Sequence, residues 1–210
     1  MNQFQQALEW YQKALDINPQ DINTLYGKGE NLRLMNEFQQ AFEWYQRYWI
    51  SAHRTLIHQE EKVIQLYFKG HCLYQMCNYQ QALEWYQKVL DINPQDINAL
   101  YRKGECLRLM NQFQQAFEWY QKVLDIDPQN IDSLRGQGHC LREMNQFQQA
   151  LEWYQKALDI NPQDVNTLYG KAQCLILFGQ YENAQQLLVD SNLQLPNNEL
   201  IEQLSSISTQ

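Results

Sequence analysis

The chain has 210 residues, of which 44% are hydrophobic and 13% aromatic, a composition that excludes a disordered protein. The formal net charge is −8, and the lysines and arginines stand singly among acids, which argues against a nucleic-acid-binding surface. No apolar run has membrane-spanning length and no charged-then-apolar leader opens the chain, so we expect a cytoplasmic protein that does not enter a membrane.

One alanine recurs at a nearly constant spacing along the chain. Its six positions are Ala7, Ala41, Ala82, Ala116, Ala150 and Ala184. The spacings are 34, 41, 34, 34 and 34 residues, and a period of 34 over most of a chain indicates a repeat architecture. The single longer spacing corresponds to an insertion of seven residues after Ala41.

The first part of each repeat is predicted to be a helix that begins after a Pro-Gln-Asp motif. Pro19 ends the preceding helix, and the polar residue two positions later is suited to cap the next one. Leu25, Gly29 and Leu32 then recur at helical spacing and form one apolar face. The predicted N-cap residues in the four repeats with this motif are Asp21, Asp96, Asn130 and Asp164.

The second part of each repeat is predicted to be a helix that carries a stripe of aromatic and small residues. The stripe in the first full repeat contains Phe38, Ala41, Phe42 and Tyr45, and small residues on the facing helix would let the two axes approach closely. Its predicted N-caps are Asn36, Asn111 and Asn145, with Gln39, Gln114 and Gln148 in the capping-box position. The small residues of the first helix are Gly29, Gly70, Gly104, Gly138 and Ala172.

Four cysteines follow the same period and are interpreted as small buried thiols. They are Cys72, Cys106, Cys140 and Cys174. Equivalent positions in stacked helices would lie roughly 10 Å apart, beyond the roughly 7 Å limit for the alpha carbons of a disulfide. No Cys-x-x-Cys pair occurs in the sequence, so no zinc site is expected.

This pattern resembles the tetratricopeptide repeat, whose helix pairs follow a 34-residue signature of Trp, Gly, Tyr, Ala, aromatic and Pro positions. Gly104, Ala116, Tyr120 and Pro128 match it, whereas leucines replace the leading Trp and the first-helix Tyr. The resemblance implies an all-α fold, a right-handed α-solenoid of antiparallel helix pairs. The expected divisions are a lone second-type helix at 1–20, a repeat with the insertion at 21–61, repeats at 62–95, 96–129, 130–163 and 164–197, and a C-terminal capping helix at 198–210.

In this family one face of the first helices lines a concave groove that binds an extended peptide or a partner helix. The resemblance therefore implies a peptide-binding groove, and Tyr and Arg are the residue types that tend to anchor interfaces. The alternative is that these exposed positions only drifted after duplication. The candidate groove residues are Asn23, Tyr26, Arg33, Tyr67, His71, Tyr74, Asn98, Tyr101, Arg108, Asp132, Arg135, His139, Arg142, Asn166 and Tyr169.

The sequence contains no recognisable catalytic motif, and neither a cofactor nor a metal is expected. His71 and His139 occupy a repeat position that carries Glu or Gln elsewhere, which favours a variable surface over a general base. We therefore expect a non-enzymatic protein–protein interaction scaffold. Two alternatives remain: a structural module that self-associates through its uncovered N-terminal helix, and a regulatory arm of a larger enzyme.

The insertion is the one irregular part of the array. It replaces small repeat residues with Tyr48 and Trp49, and seven residues equal almost two helical turns, so lengthened helices would stay in phase. Two interpretations follow. The aromatics fill additional core, or Tyr48 and Trp49 belong to a second contact surface in a segment, residues 48–60, that projects from the array.

Overall fold

The computed structural model describes residues 3–52 and 59–191. In these residues the regular structure is entirely α-helical, and none of the helices is long and apolar enough to cross a membrane. The fold class predicted from the sequence is therefore confirmed as an α-solenoid of helix pairs. The helices are α1 (Gln3–Ile17), α2 (Ile22–Leu34), α3 (Phe38–Ala52), α4 (Gln59–Gln75), α5 (Tyr79–Ile92), α6 (Ile97–Leu109), α7 (Phe113–Ile126), α8 (Ile131–Glu143), α9 (Phe147–Ile160), α10 (Val165–Leu177) and α11 (Tyr181–Asp190).

The chain divides into two compact units, Met1–Cys106 and Leu107–Gln210. In the first unit each helix from α1 to α5 packs against the next, and the core includes a cluster of Leu32, Ala41, Tyr45 and Cys72. In the second unit α7 to α11 pack in the same sequential way. A corresponding cluster there contains Leu141, Ala150, Tyr154 and Cys174. The same repeat positions thus form the core of both units, and the predicted burial of the periodic cysteines is confirmed.

Close packing between a tyrosine of the second helix and glycines of the first helices holds neighbouring helices together. A Cβ on Gly29 would lie 2.9 Å from Cε1 of Tyr45, and one on Gly70 would lie 2.8 Å from Cε1 of Tyr86. Real Cβ atoms do not approach an atom this closely, so the ring occupies the volume that any other residue would fill. The predicted close approach of the helices at small residues is therefore confirmed.

The first helix of each repeat begins where the capping chemistry predicts. Asp21 accepts a hydrogen bond from the backbone N–H of Thr24 at 2.9 Å, and Asp164 accepts one from Thr167 at 2.9 Å. Asn130 and Asp96 cap the helices α8 and α6 in the same way. These side chains satisfy backbone donors that the first helical turn leaves without partners.

The predicted start of the second helices at Asn36, Asn111 and Asn145 is wrong by one residue. These asparagines have φ angles of 62°, 59° and 59°, the left-handed region, and they end the preceding helix instead of capping the next. The N–H of Asn36 bonds to the carbonyl of Arg33, and the N–H of Glu37 bonds to Leu32, the two bonds of a Schellman motif. Because the N-caps lie one residue later than predicted, Gln39, Gln114 and Gln148 do not occupy the capping-box position, and that prediction is wrong as well.

The insertion lengthens the two helices on either side of it. Helix α3 has 15 residues, one more than α5, α7 and α9, and α4 has 17, four more than α2. Tyr48 does not contribute to a surface, because it is only 5% exposed and packs in a core cluster with Leu15 and Leu25. Residues 53–58 of the insertion and the capping helix predicted at 198–210 lie outside the described residues.

Candidate functional site

Helices α2 and α4 bring several of the candidate groove residues into one aromatic cluster in the first unit. The half-buried ring of Tyr26 lies 5.7 Å from that of Tyr48 and 6.3 Å from that of Phe68. Arg33 covers Phe68, with its guanidinium carbon 5.1 Å from the ring centroid. Glu30 holds that guanidinium in place through an ion pair of 2.9 Å. Tyr26 and Arg33 were predicted to lie on one face, and in the structure both contact the Phe68 ring.

A second group of aromatic residues surrounds Arg102 in the same unit. Its Nε donates a hydrogen bond of 3.4 Å to the hydroxyl of Tyr67. Its guanidinium carbon lies 5.1 Å from the ring centroid of Tyr74 and 5.8 Å from that of Tyr101. His71 stacks on Tyr67 with a centroid distance of 6.4 Å and an interplanar angle of 4°. Four predicted groove residues therefore gather around one arginine.

The charge of Arg102 is surrounded by phenol rings and not by carboxylates. Arg102 takes part in none of the ion pairs seen between described residues, such as those of Arg33, Arg135 and Arg142. Burial is the largest single effect and lowers the pKa of Arg102, but the hydrogen bond to Tyr67 and the electrostatic interactions with Tyr67, Tyr86 and Tyr74 together outweigh it, so the net pKa is raised. The guanidinium is therefore a fixed positive charge in an aromatic setting.

Electrostatics around His71 favour its neutral form. Burial lowers the pKa of the imidazole to about 4, and the positive charges of Arg102 and Arg33 lower it further, against a smaller opposite effect of Glu30. Its Nδ1 is buried and makes no hydrogen bond with the residues described. At neutral pH His71 is therefore uncharged, and its contribution to the cluster is the stacking of its ring on Tyr67.

Phe68 and Arg102 are the central residues of this site, and neither was predicted from the sequence. They occupy the same repeat position, at which the other repeats carry Gly27, Gly136 and Gly170. At Gly136 and Gly170 the space is filled by the rings of Tyr120 and Tyr154, 2.7 and 2.9 Å from the position of an added Cβ. The signal that could have identified the two residues was this exchange of glycine for a large side chain in two neighbouring repeats.

In the second unit the candidate groove residues are paired with one another. Arg135 forms ion pairs with Asp132 of its own helix and, at 3.3 Å, with Asp164 of the next first helix. Burial would raise the pKa of Asp164, but the hydrogen bonds from Thr167 and the charge of Arg135 outweigh it and lower the pKa. Arg135 thus supports the N-cap of α10, which is a structural contribution.

Arg142 is the most buried of the predicted arginines, at 8% exposure. It forms an ion pair of 2.7 Å with Glu143, lies 3.1 Å from Nε2 of His139, and donates a hydrogen bond to Gln173 in the next repeat. Its hydrogen-bonding capacity is therefore largely used within the unit. This arrangement makes Arg142 a link between repeats and a weak candidate for contact with a partner.

The other predicted groove residues differ in how far they are open to solvent. Three asparagines in the first helical turns are exposed, whereas Arg108 and Tyr169 are half-buried. The asparagines are Asn23, Asn98 and Asn166. Among the residues described, no group of three or more His, Cys, Asp or Glu side chains could hold a metal ion.

Trp49, the second residue predicted for an additional surface, is half-buried and lies on the other side of α4 from Tyr67. The ammonium groups of Lys62 and Lys69 lie over its ring, at 5.5 and 5.2 Å from the centroid. Trp49 and Tyr48 therefore do not form one surface, because adjacent residues of a helix point in different directions.

Comparisons with known proteins agree with this architecture. Tetratricopeptide repeat models match residues 1–21, 63–129, 96–163 and 141–206, and a Sel1 repeat model matches residues 25–47. A search of curated proteins found no match. These matches run along most of the chain and include every full repeat predicted beyond the insertion.

Many solved structures share the fold. A tetratricopeptide repeat protein from Parabacteroides merdae has a TM-score of 0.78 at 18% identity, covering 94% of this chain and 76% of its own. MamA from Desulfovibrio magneticus RS-1 has a TM-score of 0.70 at 20% identity, covering 89% and 97%. YrrB, described as a TPR protein with an unusual peptide-binding site, has a TM-score of 0.67 at 18% identity, covering 94% and 97%. With the family models, they show that this chain belongs to the tetratricopeptide repeat family.

Proposed function

We propose that this protein is a non-enzymatic protein-interaction scaffold that binds an extended peptide segment of a partner. The proposed binding region is the aromatic–arginine surface of the first unit, which we define as Tyr26, Phe68, Tyr67, Tyr74 and Arg102. Tyr26, Tyr67 and Tyr74 belong to the predicted groove face of the first helices, and Phe68 and Arg102 stand directly beside it in the sequence. The partner is expected to be a protein or peptide.

The observation that carries the proposal is the environment of Arg102. Its side chain is held by Tyr67 and by the faces of Tyr74 and Tyr101, and the ion pairs of the described residues do not include it. A guanidinium that is already positioned loses little side-chain entropy when a carboxylate pairs with it. Aspartate or glutamate in the partner is therefore the expected partner of Arg102.

The rings beside Arg102 supply apolar contact area. Tyr26 and Phe68 form tilted ring pairs, and aromatic rings bury much surface while having few rotatable bonds. The exposed amides of Asn23 and Asn98 offer a donor and an acceptor each to an extended backbone. An acidic residue next to an aromatic or aliphatic one is the peptide sequence that this chemistry favours.

The structural comparison adds support of a general kind. YrrB has the same fold and is described as having a peptide-binding site, so helix arrays of this type do bind peptides. Pairwise identity is 18%, so the residues that contact its peptide are not transferred to this chain. The proposal for this protein depends on its own aromatic–arginine surface.

Selection from a random peptide library on the immobilised full chain tests the proposal. We expect enriched peptides to contain an acidic residue beside an apolar one and to bind at roughly micromolar Kd. Arg102→Gln should remove the acidic preference, whereas Lys122→Gln, an exposed cation of the second unit, should leave it unchanged. Enrichment that is unaffected by Arg102→Gln would contradict the assignment.

Self-association is the second candidate function, and the exposed apolar residues of α1 favour it. Trp10 is 68% exposed, Ile17 is 87% exposed and Phe4 is 37% exposed on this helix. A second-type helix elsewhere buries part of this face against neighbouring first helices. Light scattering over a hundredfold concentration range tests this candidate. A mass that rises with concentration and falls in Trp10→Gln supports it, and a constant monomer mass contradicts it.

A further inference from the structure

Helices α3, α4 and α5 of the first unit line an open cavity of about 280 Å³ that the proposed function does not use. The indole rings of Trp49 and Trp85 form part of its lining, and Leu66 and Ile92 supply aliphatic surface. Leu66 is 2% exposed, so this part of the lining belongs to the core. A cavity of this size accommodates one group of roughly the dimensions of an amino acid.

Three lysines lie at the two indole rings: Lys62 and Lys88 line the cavity, and Lys69 contacts both rings without being part of the lining. The ammonium of Lys88 lies 3.9 Å from the centroid of Trp85, and that of Lys62 lies 5.5 Å from the centroid of Trp49. Lys69 lies over both rings, 4.5 Å from Trp85 and 5.2 Å from Trp49. In a chain of net charge −8, three cations around one small cavity form an unusual concentration of positive charge.

The cavity lining contains one acidic residue, Asp91, against two lysines, Lys62 and Lys88. Asp91 accepts a hydrogen bond of 2.8 Å from the side-chain amide of Gln87, one helical turn earlier. Among the described residues, no ion pair joins Lys62, Lys69 or Lys88 to a carboxylate. The cavity therefore keeps an excess of positive charge.

Lys69 is the most deeply buried of the three cations, at 1% exposure. In other repeats the equivalent residue donates to a glutamine of the preceding helix, at 2.6 Å from Lys28 to Gln12 and 3.0 Å from Gln137 to Gln121. At Lys69 the insertion breaks that register and the two indole rings take the place of the amide. Burial, and secondarily the charge of Lys88, lowers the pKa of Lys69 to about 8, so an anion nearby would be stabilising.

The cavity lies on the other side of α4 from the aromatic–arginine surface. Lys69 follows Tyr67 by two residues, which is about 200° of rotation on a helix with 3.6 residues per turn. Trp85 and Lys88 belong to a second-type helix. A ligand in the cavity and a peptide on the aromatic–arginine surface would therefore occupy separate places on this unit.

We propose that this cavity is a binding site for a carboxylate attached to a flat apolar group. The carboxylate would pair with the ammonium groups of Lys62 and Lys88, with the charge of Lys69 close behind the two rings, and the apolar group would lie between the indole rings and the aliphatic surface of Leu66 and Ile92. Such a ligand is either a free aryl carboxylic acid or the C-terminal aromatic residue of a peptide, since the two share this chemistry. Trp49 is particular to the repeat that carries the insertion: the equivalent residues in other repeats are Leu15, Leu90, Leu124 and Leu158.

Nuclear magnetic resonance of the tryptophan indole N–H groups tests the proposal in the full-length chain. Phenylacetate should shift the signals of Trp49 and Trp85 with a Kd near about 1 mM, the range expected for a ligand of this size. Trp119 and Trp153 provide internal controls, because each has a lysine 3.7 Å from its ring centroid but differs in its other neighbours. Their signals should not move.

Two variants test the site with little risk of unfolding the chain, because each introduces a residue that another repeat already carries at the equivalent position. Trp49→Leu introduces the repeat leucine and Lys69→Gln introduces the residue found as Gln137, so both should fold, as thermal unfolding would verify. Each should weaken phenylacetate binding at least tenfold, whereas Lys122→Gln should not. Binding that survives both variants would overturn the proposal.

A neutral probe and an inorganic anion test whether the ligand needs both a carboxylate and an apolar group. Peptides then test whether the natural ligand is a peptide C-terminus or a free acid. Phenylacetamide and inorganic phosphate should leave Trp49 and Trp85 unchanged, and a shift by either as large as that from phenylacetate would contradict the proposal. A peptide ending in Phe with a free carboxylate should bind more tightly than its C-terminal amide if the source is a peptide. Equal, weak binding of both peptides alongside phenylacetate binding would identify the free acid as the ligand.

Discussion

The ring of Tyr154 lies against Gly138 so closely that a Cβ on the glycine would be 2.8 Å from Cε1 of the ring. On its other side the same ring approaches Gly170 to 2.9 Å by the same measure. In the following repeat the residues equivalent to Gly138 and Tyr154 are Ala172 and Leu188. Where alanine replaces glycine on the first helix, leucine thus replaces tyrosine on the second. This exchange is expected if the tyrosine ring fills the volume that the methyl group of an alanine would occupy.

Gly138→Ala is expected to destabilise the fold in spite of the higher helix propensity of alanine. Overpacking against Tyr154 costs about 1–3 kcal/mol, and alanine recovers up to about 1 kcal/mol, so we expect a net loss of about 1 kcal/mol. In a Tyr154→Leu background the same substitution should become stabilising. Urea unfolding of the four proteins measures both effects, and an equal effect in the two backgrounds would contradict the shared-volume account.

Cys77 is expected to be a weak point of the turn between α4 and α5. Its φ of 57° is in the left-handed region, where the equivalent residues are asparagines or Gly179. Cys77→Asn should therefore stabilise the chain by about 0.5–1 kcal/mol. The reverse exchange, Asn145→Cys, should destabilise it by a similar amount in urea unfolding. A stabilising Asn145→Cys would show that backbone conformation does not determine these energies.

His71 should make the stability of the chain fall as the pH is lowered from about 6.5 to about 4. Its pKa is about 4 in the folded protein and about 6.5 in an unfolded chain, so the unfolded state binds the proton first. The contribution is complete above pH 6.5 and decreases below it. Replacement by glutamine, the residue found as Gln173, should reduce the loss of stability between pH 7 and pH 5 by about 1 kcal/mol, allowing for partial solvent screening.

Thermal and urea unfolding of the wild type and His71→Gln at both pH values provide the measurement. His71→Gln retains an uncharged polar side chain, so any carboxylate titration is common to the two proteins. If both proteins lose the same stability on acidification, the imidazole is not held neutral in the folded state.

Local chemistry made the helix array predictable from the sequence, and its limits appear at the second helices. Asp21 and Asp164 cap helices as expected, because a carboxylate after Pro-Gln has few other local roles. Asn36 was ambiguous, since asparagine is favoured both as an N-cap and in the left-handed region. Its φ of 62° shows that ending α2 with a Schellman motif takes precedence.

The candidate site was less predictable, because it depends on exceptions to the repeat. Phe68 and Arg102 stand at a position that is glycine in three repeats. This position is not on the helical face from which the groove residues were predicted. Two interpretations of Tyr48 were open from the sequence, additional core or a second contact surface, and its contact with Leu15 and Leu25 supports the first. Pairing in the second unit, such as that of Arg142 with Glu143, depends on rotamers that sequence spacing does not determine.

The most direct test of the proposed function is a double-mutant cycle between Arg102 and the acidic residue of a selected peptide. Isothermal titration would compare the wild type and Arg102→Gln, each with the acidic peptide and with its neutral amide counterpart. We expect each single change to weaken binding about tenfold and the two together to weaken it little further, a coupling of about 1–2 kcal/mol. Additive losses, or no loss in Arg102→Gln, would contradict the role of the aromatic–arginine surface in peptide recognition.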